Sequence, residues 1–454
     1  MQRLLFVVHG FPPDTWAGTE VYTLGLAQAF QRRGLEVHVL TRAPQSCPGE
    51  PDGSLRTEEF QGLRVHRLTR RTGGLAVEES YSSPWVERFF ERFLCELRPD
   101  LVHFQHLLHL SCDLPRITRA QGTPSVLTVN DYWALCARVQ LIRPDGVRCE
   151  SNQGVGCYAC IKDHSPAWQP RLRVLRPVIS AGARGLRPLA ALPQPSAKLA
   201  RPLSKLAKRC DDWLALEARH RRVLAGYAAA DLLIAPSEFL RAKLIESGGI
   251  EPARIIHSDY GMRTEGLRVL AKQPDPQGRL RVGFVGSLVW YKGVDVLIRA
   301  FEAIAPEKAV LRVFGAFDPA RDAHHAQLQQ LAKGKAVEFR GRFENNRIAE
   351  VYSEIDVLVV PSVWFENSPL TIHEAWLQRT PVVGSDIGGM RELIGHERDG
   401  LHFRAGDAQS LRAALLRLAD DPALLERLGA SVPKVKSLEE DAAELELRYR
   451  SLRS

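Results

Sequence analysis

The sequence predicts an α/β protein made of two doubly wound halves, each a parallel sheet with helices on both faces. Three observations predict it. Short, continuous apolar runs recur along the chain, as expected for strands buried on both faces. Segments of helical period alternate with them, which is the pattern of parallel crossover units. The pattern breaks once, over a polar stretch from about Arg263 to Gly278 with Pro274, Pro276 and Gly278, and restarts at Leu280. A chain of 454 residues is also longer than one ordinary core organises. We therefore expect an N-terminal half over 1–265, a linker over 266–279, a second half over 280–430 and a closing helix over 431–454.

Taken in order, Leu4 to Val8 is a buried strand and Pro12, Pro13 and Gly18 mark a loop. From Glu20 onward Tyr22, Leu26, Ala29 and Phe30 recur at helical spacing, with Arg32, Arg33 and Gly34 as a stop. Leu35, Val37 and Val39 alternate as the second strand, so these residues form one βαβ unit with a right-handed crossover. Leu101–Phe104, Ser125–Val129, Asp231–Ala235 and Arg254–His257 continue the first sheet. RVGFVGS, AVLRVFG, AVEFRG, DVLVVPS and TPVVGSD supply the second. The last helix, roughly Glu439 to Leu452, carries a Leu/Ala/Tyr stripe, and pattern alone does not say which half it packs on. Two such halves leave a cleft beyond the carboxyl ends of their strands, the usual place for a ligand.

Composition excludes several classes. No stretch is long and apolar enough to span a membrane, and MQRLLFVVHG reads as a buried strand followed by FPPD rather than as a secretory signal. A cytoplasmic chain is the expectation. The net charge of +8 is uneven: Arg171 to Arg209 holds ten Lys or Arg and no Asp or Glu. This basic insertion, within 161–215, fits two readings: a peripheral contact with an anionic membrane face or phosphate-bearing lipid, or a solvated, proline-rich insertion. It lacks interleaved aromatic residues and any recognisable reading element, so a nucleic-acid partner is not expected.

The chemistry concentrates in PSVWFENSPLTIHEAW. A strand ends near Val360, a loop runs to Asn367, and Ser368 with Pro369 reads as an N-cap and first helical residue. Glu366 then lies on the loop and Glu374 within the helix, with the helix-start N–H groups between them. Such donors suit a pyrophosphate, and a carboxylate on either side can accept from sugar hydroxyls. Two glutamates at this spacing say little alone; the strand, loop and helix around them give the spacing meaning. Lys292-Gly293 opens a second helix, with Val294, Leu297, Ile298 and Phe301 as its apolar face, and Lys292 can neutralise a phosphate. Gly18 permits close backbone approach at the start of the first helix.

Together these segments resemble a family 4 glycosyltransferase of the GT-B fold, with two Rossmann-like domains facing a cleft. The resemblance covers nearly the whole chain except the middle insertion. It rests on the AGTE loop at Ala17–Glu20 followed by RRGLEVHVL, GSLVWYKG at 286–293, Glu366-x7-Glu374 and TPVVGSDIGGMREL at 380–393. It implies a retaining transfer of a hexose-type sugar from a nucleotide-diphosphate sugar to a glycan or lipid-linked acceptor, in cell-surface polysaccharide or glycoconjugate synthesis. No metal or other cofactor is implied at the reacting centre. Glu366 would contact the transferred sugar, and Glu374 the ribose. Lys292 would hold the diphosphate with the backbone amides of Asn367, Ser368, Pro369-Leu370 and Gly18, as far as each has one. The turn Arg340 to Phe343 would lie near the base. The chain departs from the family at Ser287, where an Arg is usual, so that Arg342 is a candidate substitute. It departs again at Asn130-Asp131, where a His-Asp pair is frequent. Asn130 can hydrogen-bond a sugar hydroxyl but cannot titrate near neutral pH.

Cys136, Cys149, Cys157 and Cys160 form C-x12-C-x7-C-x2-C. Four thiolates can fill a tetrahedral zinc site with a structural role, or hold an iron–sulfur cluster, and they can equally be reduced structural thiols. The segment is similar to cysteine-bearing inserts of some of these transferases. Two rival readings remain: a GT-B protein that only binds glycan or nucleotide, for which Ser287 and Asn130 argue, and a basic, zinc-containing nucleic-acid-binding protein.

Overall fold

The computed structural model describes residues 1–43, 50–73, 75–150, 156–161, 197–344 and 347–452, with the side chains of 156, 159 and 197–210 left out. The basic stretch from Arg171 to Arg209 lies outside the described side chains.

The strands are β1 Arg3–Val8, β2 Glu36–Ala43, β3 Leu55–Phe60, β4 Leu63–Thr69, β5 Leu101–Phe104, β6 Ser125–Thr128, β7 Leu232–Ala235 and β8 Ile255–His257. They continue as β9 Leu280–Val285, β10 Ala309–Phe314, β11 Val337–Gly341, β12 Val357–Val360, β13 Val382–Ser385 and β14 Gly400–Phe403. The first eight form one sheet in the order β3-β4-β2-β1-β5-β6-β7-β8, and the last six another, β11-β10-β9-β12-β13-β14. All pairings are parallel except β3 with β4. Strand order therefore reverses beside β1 in the first sheet and beside β9 in the second. Those are the points where open α/β sheets place ligands.

The apolar runs behave as both-face-buried strands. In β12, Val357 and Val359 join the core formed with Leu297, Leu311 and Leu411, while Leu358 and Val360 join Tyr352, Ile372 and Met390. Alternate residues thus pack on opposite faces. In β1, Leu4 to Val8 are all fully buried.

Four expectations change. The antiparallel hairpin β3–β4 was not foreseen; it turns at Gln61 and Gly62, both at positive φ (50° and 83°). Strand β14 adds a sixth strand to the second sheet from GLHF, which has no long apolar run. The stretch expected as a linker belongs to the second unit, where Lys272 Nζ reaches the Asp356 carbonyl just before β12 at 3.4 Å. The compact units are Met1–Pro236, Leu240–Ser258 and Ala442–Ser454 in one, and Ser237–Phe239 with Asp259–Asp441 in the other. The boundary thus falls at Ser258/Asp259. The closing helix, Leu438–Ser451, is shared, and from Ala442 onward it belongs with the first sheet.

Candidate functional site

In the second unit, the loops after β9 and β12 interlock. Val363 N–H donates to the Tyr291 carbonyl at 3.0 Å, and the Tyr291 and Trp364 rings meet edge to face at 5.3 Å. Gly293 has φ +71°, and a Cβ there would sit 2.0 Å from the Pro361 carbonyl oxygen. Only glycine permits that approach. A short turn, Trp290–Lys292, precedes it, and the helix Val294–Ala300 follows with Val294, Leu297 and Ile298 buried as expected.

This interlock brings Lys292 to Glu366. Glu366 is 5% exposed, and its Oε1 accepts from Lys292 Nζ at 2.7 Å, Ser362 Oγ at 2.6 Å and Trp364 Nε1 at 2.8 Å. The ammonium also lies 5.5 Å from the centroid of the Trp364 ring. Charge-assisted donors of this kind fix a carboxylate in place. Behind it, Gly389 N–H donates to the Glu366 carbonyl at 2.7 Å, and a Cβ on Gly389 would fall 1.6 Å from the Asn367 carbonyl oxygen. The glycine pair of the 380–393 motif is thus the floor on which the Glu366 loop rests.

Asn367 and Ser368 are buried. Ser368 is not the N-cap expected from sequence: Pro369 occupies that position, and the helix runs Leu370–Leu377. The Ser368 hydroxyl instead donates to Asp259 Oδ1 at 2.6 Å and lies 2.8 Å from His373 Nε2. Burial works against charge on Asp259, but hydrogen bonds from His373, Ser368 and the Tyr260 N–H outweigh it and hold its carboxyl below the usual range. Asp259 begins the second unit's main segment, so this network ties the helix to the point where the chain enters it.

Glu374 lies on the same helix. Desolvation pushes its carboxyl up to about 7, against the opposing influence of His373 and a hydrogen bond from Tyr352. The Tyr352 hydroxyl also lies 2.8 Å from the Thr371 carbonyl, so its single proton is shared between the helix start and Glu374. Ser287 and Arg342 are both exposed. Arg340, expected in the turn after its strand, instead lies within β11 and pairs with Glu354 at 2.6 Å.

Gly18 and Asn130 belong to the first unit. Gly18 opens the helix Gly18–Arg32 and is exposed; Ala17 caps it without a side-chain hydrogen bond. Asn130 is drawn inward: its amide donates to the Gln105 carbonyl at 2.7 Å. Its neighbour Asp131 accepts from His106 Nε2 at 2.8 Å and from the Trp133 N–H at 2.8 Å. Leu108 N–H donates to His106 Nδ1 at 3.1 Å, which assigns the ring proton to Nε2. The His9 and His106 rings lie 4.3 Å apart, and His9 Nε2 is 3.6 Å from Glu20 Oε1. Sequence reasoning passed over His9, Glu20 and His106. The available signal was a polar residue directly after a buried strand, as His9 follows β1.

The four cysteines of the 136–160 segment are free thiols. Burial first, then the other cysteines, raises the Cys149 thiol to about 11 and the Cys160 thiol to about 12, so the four share one neighbourhood. Among the described residues, no group of three or more His, Cys, Asp or Glu is arranged to hold a metal ion.

Residues 16–258 match Glycosyltransferase Family 4, and residues 279–421 match the glycosyl transferases group 1. The chain belongs to glycosyltransferase family 4. Among curated proteins it is similar to alpha-maltose-1-phosphate synthase of Mycolicibacterium smegmatis, 30% identical over 203 residues, or 41% of this chain and 52% of that one. It is equally similar to D-inositol 3-phosphate glycosyltransferase of Thermomonospora curvata, 30% identical over 230 residues, 45% of this chain and 52% of that one. An uncharacterised glycosyltransferase of Methanocaldococcus jannaschii is 32% identical over 138 residues, 30% and 35% of the two chains. The chain thus spans about half or less of the curated relatives it matches. Its fold is that of sucrose-phosphate synthase from Thermosynechococcus elongatus, with TM-score 0.65, 20% identity, and 100% and 99% of the two chains covered. It is likewise that of Anabaena HepE in complex with UDP and glucose, with TM-score 0.61, 15% identity and 99% and 100% covered. The likeness to these structures gives the chain the GT-B fold. No described helix is long and apolar enough to cross a membrane.

Proposed function

We propose that this glycosyltransferase takes a hexose-type sugar from a nucleotide-diphosphate sugar with retention of configuration, without a metal at the reacting centre, and passes it to a phosphate-bearing or glycan acceptor. The observation that carries the reading is the Lys292–Glu366 pair, 2.7 Å apart and held by Ser362 and Trp364 at the switch point of the second sheet. A leaving diphosphate needs cationic and N–H donors, and a transition state with oxocarbenium character needs a nearby carboxylate. Lys292 and Glu366 are those two groups. In the structure they neutralise one another; a bound diphosphate would compete for the ammonium and leave the carboxylate facing the sugar. Glu374 would accept from the ribose hydroxyls. The relatives' names support this reading, since they include phosphorylated acceptors or products, and UDP occupies HepE.

Purified protein incubated with UDP- and GDP-sugars and followed by mass spectrometry should release nucleotide diphosphate from at least one donor. Glu366→Gln should lower that rate by about 100-fold or more, the range for losing one preorganised electrostatic group. Proton NMR of the product's anomeric signal checks retention. Unchanged turnover in Glu366→Gln removes the site assignment, and inversion removes the stereochemical one.

The four thiols, not arranged to hold a metal ion as they stand, would have to close around one structural zinc ion as it binds, filling every position around the metal. Elemental analysis should then find about one zinc per chain, lost in Cys157→Ser. Metal-free protein of the same melting temperature overturns this.

A further inference from the structure

Four neighbouring strands of the first sheet, β4, β2, β1 and β5, each carry a basic side chain at or just past the carboxyl end: Arg70, Arg42, His9, and His106 with His109. The register places Ala43 opposite Thr69, so Arg42 and Arg70 leave adjacent strands at nearly the same level. Burial first, and then the charges of Arg42 and Arg70, depress the protonation of His109.

The two guanidinium groups are underused. Arg70 is 1% exposed and stacks on Trp85 at 5.4 Å, and its Nη2 donates to the Glu79 carbonyl at 2.6 Å. No described group accepts from its buried Nε or Nη1, and none from the buried Nε of Arg42. Ion-paired arginines elsewhere in the chain, such as Arg67 with Asp14 at 2.9 Å and Glu58 at 2.5 Å, show the usual arrangement. Here the nearby carboxylates are committed to backbone donors instead: Asp52 Oδ1 accepts from the Arg71 N–H at 2.7 Å, and Glu79 Oε2 from the Ala76 N–H at 2.8 Å. Burial of Arg42 depresses its protonation with no acidic group offsetting it. Burial likewise depresses Arg70, partly offset by Glu79 and Asp52. Buried guanidinium N–H groups without acceptors are costly, and a planar fork of donors is suited to phosphate oxygens.

His109 adds a second sign. It sits at φ +60°, uncommon for a residue with a side chain, with its N–H bonded to the Ser80 carbonyl at 2.9 Å and no described group accepting from or donating to its buried Nδ1. Strained backbone of this kind collects at ligand sites.

We propose that Arg42, Arg70 and His109 form a phosphate-binding subsite of the first unit, which holds the phosphate of the sugar acceptor. This rests on the transferase reading for the word acceptor, while phosphate binding can be measured without it. A phosphate here would lie on the same row of strand ends as the His106–Asp131 pair, which would then be the neighbouring group for the acceptor's hydroxyl.

The test is calorimetric titration of the full chain, saturated with UDP so that Lys292 is engaged, with inorganic phosphate and separately with phosphatidylcholine vesicles containing phosphatidic acid. UDP binding in each variant reports an intact fold and tests the donor site by itself. Should UDP not bind, the transferase reading fails, and the same titration on Lys292→Gln protein still decides the phosphate question. Saturable binding of inorganic phosphate, weakened about tenfold by Arg42→Gln and by Arg70→Gln, is the expected result for a soluble phosphate. Binding of the vesicles alone, with the same loss in Arg42→Gln, supports the subsite with a lipid-borne phosphate. Arg42 is only half-buried, so its variant remains informative if Arg70→Gln fails to fold. Binding of neither probe, or equal binding by Arg42→Gln, overturns the proposal.

Discussion

Glu366 and Glu374 sit on one short stretch of chain and are treated oppositely by their surroundings. Three donors, Lys292 Nζ, Ser362 Oγ and Trp364 Nε1, converge on Oε1 of Glu366 and hold its carboxylate in one position. Glu374 is half-buried, and its carboxyl is pushed up to about 7 by desolvation. The consequence for stability has a definite sign. Below the ordinary carboxylate value, both folded and unfolded chains carry the proton on Glu374 and there is no effect. As pH rises from about 4.5 to 7 the unfolded chain loses that proton first, so stability falls across this window and the full cost stands above 7. Glu374→Gln should remove that slope and gain on the order of 2 kcal/mol at pH 8 relative to the parent, read from urea unfolding at several pH values. If the ionised carboxylate is what accepts from ribose, UDP affinity should rise through pH 7 in the parent and stay flat in the variant. A parallel rise in both would remove Glu374 from the nucleotide contact.

At the scale of elements, the site depends on loops that touch backbone to backbone. Gly293 against Pro361 and Gly389 against Asn367 leave no room for a Cβ, whereas Gly278, at φ +70°, faces open space. Gly389→Ala should therefore lose about 1–3 kcal/mol by overpacking and displace Glu366, with UDP affinity falling in step. Gly278→Ala should lose about 1 kcal/mol or less from backbone strain and leave UDP binding unchanged. Thermal melts and nucleotide titrations of the two variants give the contrast, and equal losses in both would refute the close-packing account. These loops also show what was legible in advance. The strands of the second sheet, the Lys292 turn and the Glu366–Glu374 pair could be read because each is local: an apolar run, then glycine or proline, then a helix start. Ser368 looked like an N-cap for the same reason. Its partners, Asp259 and His373, include one more than a hundred positions away, and no local rule shows that. The β3–β4 hairpin was missed because LRTEEF is mostly exposed and has no apolar run.

At the scale of the whole molecule, the least legible feature is the return of the chain to its first sheet. Arg42, Arg70, His9 and His106 meet only because strand order brings four distant segments side by side, and periodicity cannot show that order. The closing helix poses the same difficulty. Its stripe of Ala442, Leu445 and Tyr449 is almost wholly buried, and the partners of that stripe lie at the opposite end of the sequence. Tyr449 stacks on Phe30 at 5.3 Å, and its hydroxyl lies 2.6 Å from Nδ1 of His103, a ring whose burial holds its protonation down to about 3. Glu446 pairs with Arg33 at 2.7 Å. The helix is thus part of the first unit's core, although it follows the second unit in sequence. Tyr449→Phe should cost about 1–3 kcal/mol, because the neutral His103 is left with a buried nitrogen lacking its partner. Ending the chain at Asp441 should cost more, by also removing the apolar contacts. Hydrogen exchange locates the damage: amides of β1 and β5 should lose protection in both variants, while those of β9 and β12 keep theirs. Loss of protection confined to the second sheet would show that the helix supports the other unit instead.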